Sequence, residues 1–279
     1  MPGANSVTSN QETLHKDLEE VVRKYVRTTF LRPIADHTRE AFAEVEEFVR
    51  KFYAGNDAHG IAPQAVILDS GCGTGESTIH IARRFPGIPV IGIDKSCARL
   101  NKAGNPSQTA GEEVPANAFW IRAELLDFWR LALEHVKDGK WTIPYHAVYY
   151  PNPWPKQSEA TRRFHMHPIF PTLLALGETI ELRTNWEIYA REFAEATRIA
   201  YEERAELANE TVRGDSRLLR LRSAQAPAGM TDTAGMTSEV AMTIKCEPFD
   251  PVSPETAFER KYKEARQKLW RVLVALPQL

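Results

Sequence analysis

The chain has 279 residues, with 35 Lys and Arg against 37 Asp and Glu, for a formal net charge of −2. That balance excludes a strong overall basic field for nucleic acid and leaves only local basic patches. At 43% hydrophobic residues the composition supports an ordinary core, and the length fits one large α/β domain with additions or two small domains.

In chain order, Met1 to about Gln11 is small and polar and reads as disordered. Thr13 to Val26 and Arg39 to Phe52 read as amphipathic helices, the second with Phe42, Val45, Phe48 and Val49 on one face. They form an N-terminal helical extension over residues 1–60, with residues 61–279 as the main domain. Asn56 to Pro63 is a loop. Ala65 to Leu68 is an apolar β-branched run, expected to be a buried parallel strand. A glycine turn and a helix from Glu76 to Phe85 follow, then a strand from Pro89 to Asp94 and a short helix from about Ser96. Gly104 to Asn117 is a polar loop. Phe119 to Glu124 reads as a third strand, Leu125 to Val136 as a helix, and Tyr145 to Tyr150 as a fourth strand. Arg163 to Leu176 reads as helical with one break at Pro171, Glu178 to Arg183 as a fifth strand, and Trp186 to Glu203 as a long helix. Glu206 to Ser238 is polar, then rich in small residues from Gln225 to Gly235, and is expected to be mobile. Val240 to Cys246 looks like a strand, and Lys263 to Ala275 ends in an apolar run that suits a strand or a short helix. Strands alternating with helices predict a doubly wound, mostly parallel sheet with right-handed crossovers.

Three cysteines, Cys72, Cys97 and Cys246, lack CxxC spacing. This argues against a disulfide framework or a metal site and fits a reducing cytoplasm. No apolar run approaches membrane-spanning length, and the N-terminus lacks a signal-peptide pattern.

The chemistry concentrates at Val66-Ile67-Leu68-Asp69-Ser70-Gly71-Cys72-Gly73-Thr74-Gly75-Glu76. Strand, glycine turn and helix bring backbone close to a nucleotide-like ligand. A Cβ on the turn would hold that ligand away, and such turns often need φ > 0. Gly71, Gly73 and Gly75 give GxGxG rather than GxGxxG, and the next strand ends in Asp94, where a carboxylate can accept both ribose hydroxyls. This pair of signals resembles the S-adenosylmethionine site of class I methyltransferases. The alternative is a turn that only lets helix pack on strand.

A second signature, Pro151-Asn152-Pro153-Trp154-Pro155-Lys156, lies beyond the fourth strand, at the edge where open α/β sheets bind ligands. Its alternating prolines stiffen the backbone around Asn152 and Trp154. Arg162-Arg163 follows, then Leu182-Arg183-Thr184-Asn185-Trp186-Glu187, and late in the chain Thr256-Ala257-Phe258-Glu259-Arg260. This ordered set resembles the tRNA (guanine-N7) methyltransferase family over about Val66 to Glu203 plus the Thr256 segment. The resemblance implies a Rossmann-like fold with a seven-stranded sheet, two late strands completing it as an antiparallel hairpin, and methyl transfer from S-adenosylmethionine to guanine N7. It makes Asn152, Trp154 and Asn185 the residues at the reacting base. Asp69, Gly71, Gly73, Gly75, Glu76, Asp94 and Glu124 would hold the cofactor. Lys156, Arg162, Arg163, Arg183, Thr256 and Glu259 would hold the substrate. Asn152 and Asn185 stand where the family has aspartates, and the basic run after Lys156 is thinned.

The residues leave alternatives open. Glu76 also suits a helix N-terminus, Trp154 and Trp186 suit base stacking or the core, and Thr256 suits a helix cap. His165 and His167 rank below the arginines. The expected partner is tRNA or a small purine-like heterocycle, no metal is expected, and the protein is expected to work in the cytoplasm as a monomer or homodimer. Amides in place of carboxylates both donate and accept, which suits a ring presenting an acceptor beside a donor. A cofactor-binding subunit without catalysis is a further reading.

Overall fold

The computed structural model describes residues 6–55, 63–104, 113–223 and 242–275. Strands β2 (Ile67–Ser70), β3 (Val90–Asp94), β4 (Ala118–Arg122), β6 (Tyr145–Tyr149), β7 (Thr179–Thr184), β8 (Thr243–Phe249) and β9 (Leu269–Ala275) form one seven-stranded sheet in the order β4-β3-β2-β6-β7-β9-β8. The first five in that order are parallel, β9 runs antiparallel to β7, and β8 runs antiparallel to β9. The fold is therefore the expected doubly wound one, with the late hairpin at its edge. A small parallel pair, β1 (Gln64–Ala65) with β5 (Trp141–Thr142), sits apart.

Helices α3 (Glu76–Arg84), α4 (Cys97–Leu100), α5 (Leu125–Lys137), α6 (Phe170–Leu174), α7 (Glu187–Ser223) and α8 (Ala257–Glu264) connect the strands. Period-two alternation sends Val66 and Leu68 to one apolar cluster and Ile67 to the other, so both faces of the central strand are covered. The larger cluster holds α1 (Leu18–Val26) and α2 (Asp36–Gly55) through Leu18, Val22, Phe42, Val45 and Val49. No helix among the described residues is long and apolar enough to cross a membrane.

The chain leaves β2 toward β3 and β4 on one side, and β6 and β7 lie on the other. The order reverses between β2 and β6, and the carboxyl ends of the strands at such a point are the usual ligand position in open α/β sheets.

Three local expectations change. Ser9 to Gln11 is not disordered: Gln11 is buried, and the Ser9 hydroxyl donates to the Pro155 carbonyl at 2.7 Å. Residues 163–176 are not one broken helix. A 3-10 turn, Gln157–Arg162, ends just before them, and they comprise a second such turn, Phe164–Met166, and α6, in whose first turn Pro171 sits. Proline's missing N–H costs nothing in that first turn, so it starts the helix. The long helix runs past Glu203 to Ser223. The run Gln225 to Gly235 and residues 105–112 of the Gly104 to Asn117 loop lie outside the described residues.

Candidate functional site

The glycine turn adopts the left-handed backbone the sequence required, with φ of +80° at Gly71, +60° at Gly73 and +80° at Gly75. A Cβ on Gly71 or Gly73 would meet nothing within 4 Å, so the space above them is clear. A Cβ on Gly75 would lie 2.3 Å from Trp120 Nε1. Asp94 ties the turn to β3. It accepts from Gly73 N at 3.0 Å and Ser96 N at 2.8 Å, and the exposed Arg99 reaches it at 3.3 Å.

Asp69 lies beneath, 1% exposed. One oxygen accepts from the Ser77 and Thr78 hydroxyls, both at 2.7 Å, while Oδ1 is buried without a hydrogen-bond partner. Burial pushes its pKa up to about 6, against the two hydroxyls. Glu76 is buried at the first position of α3, where a carboxylate suits the helix N-terminus, and it also pairs with Arg260 of α8. Glu124 is half-buried at the N-cap of α5, its N–H donating to Thr38 Oγ1 at 3.2 Å.

After β6 the backbone is strained, with φ of +51° at Tyr150 and +44° at Trp154. Asn152 is exposed between them and accepts from Trp154 N at 3.4 Å. The Trp154 carbonyl accepts from Arg163 Nε at 3.2 Å and Nη2 at 3.0 Å. Arg163 was expected to face an anionic substrate. It is instead 0% exposed, paired with Glu192 at 2.7 Å, bonded to Gln11 at 3.0 Å and 4.8 Å over the Trp186 ring. All three guanidinium nitrogens already donate within the protein. Burial at this depth demands pairing, and Glu192 supplies it.

Arg162 is exposed, 4.5 Å over the Trp154 ring and 3.3 Å from Glu159, and Lys156 is exposed nearby. His165 is buried and hydrogen-bonded to Glu192 at 2.8 Å, with burial pushing its pKa down. His167 packs edge-on against Phe30 at 5.3 Å.

After β7, Asn185 Nδ2 donates to Gln267 at 3.2 Å. Arg183, also expected at the substrate, is buried. It bonds Glu181 at 2.6 Å and Glu259 at 2.8 Å, pairs with Glu255 at 2.8 Å, and lies 3.9 Å over the Tyr149 ring. Burial opposes its charge, but Tyr149 and the three carboxylates hold its pKa above the ordinary value. Thr256 caps α8 by accepting from Glu259 N at 3.0 Å. Glu259, 0% exposed, accepts from the Tyr150 hydroxyl at 3.0 Å and Glu255 N at 2.7 Å. These two late residues thus act first as a helix cap and a buried anchor.

Asn152 and Asn185 therefore follow the adjacent strands β6 and β7 at the carboxyl edge, and β6 is the neighbour of β2, which carries the glycine turn. One signal for the unforeseen Glu192 is present in the sequence. It is a carboxylate on the apolar stripe of α7, beside Tyr189, Phe193 and Ala196, and so needed a buried cation. Nothing local foretold Gln11, Arg260 or Gln267.

A family model described as "Putative methyltransferase" matches residues 63–220. A tRNA (guanine-N(7)-)-methyltransferase of Mycolicibacterium gilvum is 33% identical over 138 residues, 47% of this chain and 49% of that protein. One from Neisseria meningitidis serogroup C is 30% identical over 142 residues, 50% of this chain and 56% of that protein. A trans-aconitate 2-methyltransferase of Deinococcus radiodurans is 55% identical over 42 residues, 15% of this chain and 16% of that protein. The chain spans about half, or less, of these relatives' own length. With the family model covering more than half of its residues, the chain belongs to this methyltransferase family.

Proposed function

We propose that this protein is an S-adenosylmethionine-dependent methyltransferase acting on a guanine ring nitrogen of tRNA. One observation carries the reading: the glycine turn held by Asp94 follows β2 and the Asn152 loop follows its neighbour β6, on the two sides of the point where the strand order reverses, with the Asn185 loop after the next strand, β7. The residues present fit the cofactor. The partnerless Asp69 Oδ1 suits a cationic amino group, and the clear space over Gly71 and Gly73 admits a ligand close to backbone. Asp94 suits ribose hydroxyls and Glu124 the adenine amino group. When bound, the cofactor supplies an electrophilic methyl on a sulfonium.

Guanine N7 carries a lone pair and no proton, so no general base is needed. The work left to the chain is alignment of the ring. Asn152 and Asn185 can donate and accept at its edge, and Trp154 can stack on its face. The domain division at about residue 60, cytoplasmic location and a monomer or homodimer belong to the same reading.

A second reading is methylation of a small aromatic N-heterocycle. It is favoured by how many arginines are spent internally. Arg163 and Arg183 are buried, and Arg23 and Arg27 of the N-terminal segment both pair with Glu203. The test supplies methyl-labelled S-adenosylmethionine with bulk unmodified tRNA or with free purine-like rings. Label recovered as N7-methylguanosine from digested tRNA is the expected result. Label only in the free ring moves the assignment to the second reading. Absence of S-adenosylhomocysteine with either substrate sinks both and leaves a cofactor-binding subunit.

A further inference from the structure

Thr256 and Glu259 turn inward, so the late segment presents other side chains to solvent. α8 turns Phe258 outward, 50% exposed, with Tyr262 one turn along; their rings stack at 6.1 Å and 22°. Tyr150, two residues before Asn152, completes the group at 6.2 Å from Phe258 and 5.6 Å from Tyr262. The Tyr150 hydroxyl is anchored on buried Glu259, so the cluster is held from below.

The same segment is cationic on its outer side. Lys261 on α8 and Arg266 and Lys268 in the turn to β9 are exposed. Arg260 is occupied by Glu76, and Lys263 by the Pro251 carbonyl at 2.8 Å. β9 pairs antiparallel with β7 and sets Trp270 opposite Thr184, which brings this turn to the carboxyl edge of the sheet. Gln267 in the turn accepts from Asn185. The segment therefore touches both loops that carry the candidate asparagines, through Tyr150 and through Asn185.

We infer that α8 and its following turn are the RNA-facing wall of the site: Phe258 stacks on an unpaired base, and Lys261, Arg266 and Lys268 take the flanking phosphates. The inference rests on the tRNA reading above and assigns it a surface. An aromatic ring half in water and bordered by cations matches single-stranded nucleic acid, in which every base offers a face and every link a negative charge. The charge complementarity selects RNA over a second copy of this near-neutral chain.

The test measures binding of unmodified bulk tRNA to the full chain by fluorescence anisotropy across a salt series. Phe258→Ala should weaken binding roughly 5- to 150-fold, the loss of one stacked base, and Phe258→Trp should restore it. The double variant Lys261→Gln, Arg266→Gln should lower the log–log salt slope by about 1.4–1.8. Wild-type affinity and slope in both variants would overturn the inference, as would absence of tRNA binding by the wild type at low salt. If Phe258→Ala instead converts a sedimenting dimer to a monomer at unchanged tRNA affinity, the ring is a self-association contact and the inference falls. Failure of the parent reading shows separately, as methyl label in a free heterocycle and none in tRNA.

Discussion

Gly92 is central to β3, where glycine ordinarily weakens a strand. Its missing side chain makes room for two neighbours: a Cβ there would lie 2.4 Å from Thr78 Oγ1 and 2.7 Å from Trp120 Cδ1. Thr78 also supports Asp69, and Trp120 Nε1 donates to the Gly75 carbonyl at 3.2 Å. The packing of α3 on the sheet and the shape of the glycine turn thus meet at one absent methyl group. Gly92→Ala should destabilise the protein by about 1–3 kcal/mol through overpacking. Urea unfolding measures it, and an unchanged midpoint would show that Trp120 and Thr78 move aside without cost.

At the scale of elements, the connection from β6 to α6 is irregular, and it is held by one side chain. Arg163 ties the Trp154 carbonyl, Glu192 on α7 and Gln11 of the N-terminal segment into a single buried knot. Its neighbour Arg162 is exposed. Arg163→Ala leaves Glu192 buried with only His165 and hydrogen bonds from the N-terminal segment, and should cost about 3–5 kcal/mol. Arg162→Ala should change stability by no more than about 0.5 kcal/mol. Denaturant midpoints of the two variants decide the point, and equal losses would contradict the division of roles.

Across the whole molecule, buried titratable groups act in opposite directions with pH. His146 donates Nδ1–H to the Leu176 carbonyl at 2.7 Å, so its Nε2 accepts from the Ser70 hydroxyl at 2.8 Å, which in turn accepts from Trp129 Nε1. Burial lowers its pKa to about 4. The stability it contributes is present above its ordinary pKa, about 6.5, and is lost as pH falls toward about 4. Asp69, raised to about 6, does the reverse: its contribution is present below about 4 and lost as pH rises through about 6. Between those limits the two offset each other. Asp69→Asn removes one side, so its melting temperature should fall more steeply than the wild type's from pH 6.5 to 4.5. Calorimetry at several pH values reads this, and parallel curves would show that Asp69 does not titrate in that window.

Local signals in the sequence determined the order of elements and the glycine turn. β-branched runs, glycine spacing and an acid at a strand end act over a few residues, so strand, turn and helix followed without knowledge of the rest. The late hairpin follows from the resemblance and not from local signals, because Leu269–Ala275 by itself suits a strand or a short helix and becomes a strand where β7 offers it an edge. Side-chain partners were decided only in three dimensions. Arg162 and Arg163 are identical and adjacent, yet one meets water and the other Glu192, 29 residues on. Glu76 finds Arg260 across 184 residues. Thr256 and Glu259 matched a substrate motif but spend their groups on the helix cap and the Tyr150 and Arg183 anchors, while Phe258 between them faces out. A periodic pattern sets which element forms. Which charge is buried depends on the countercharge that packing brings from a distant element, and that is a property of the tertiary fold.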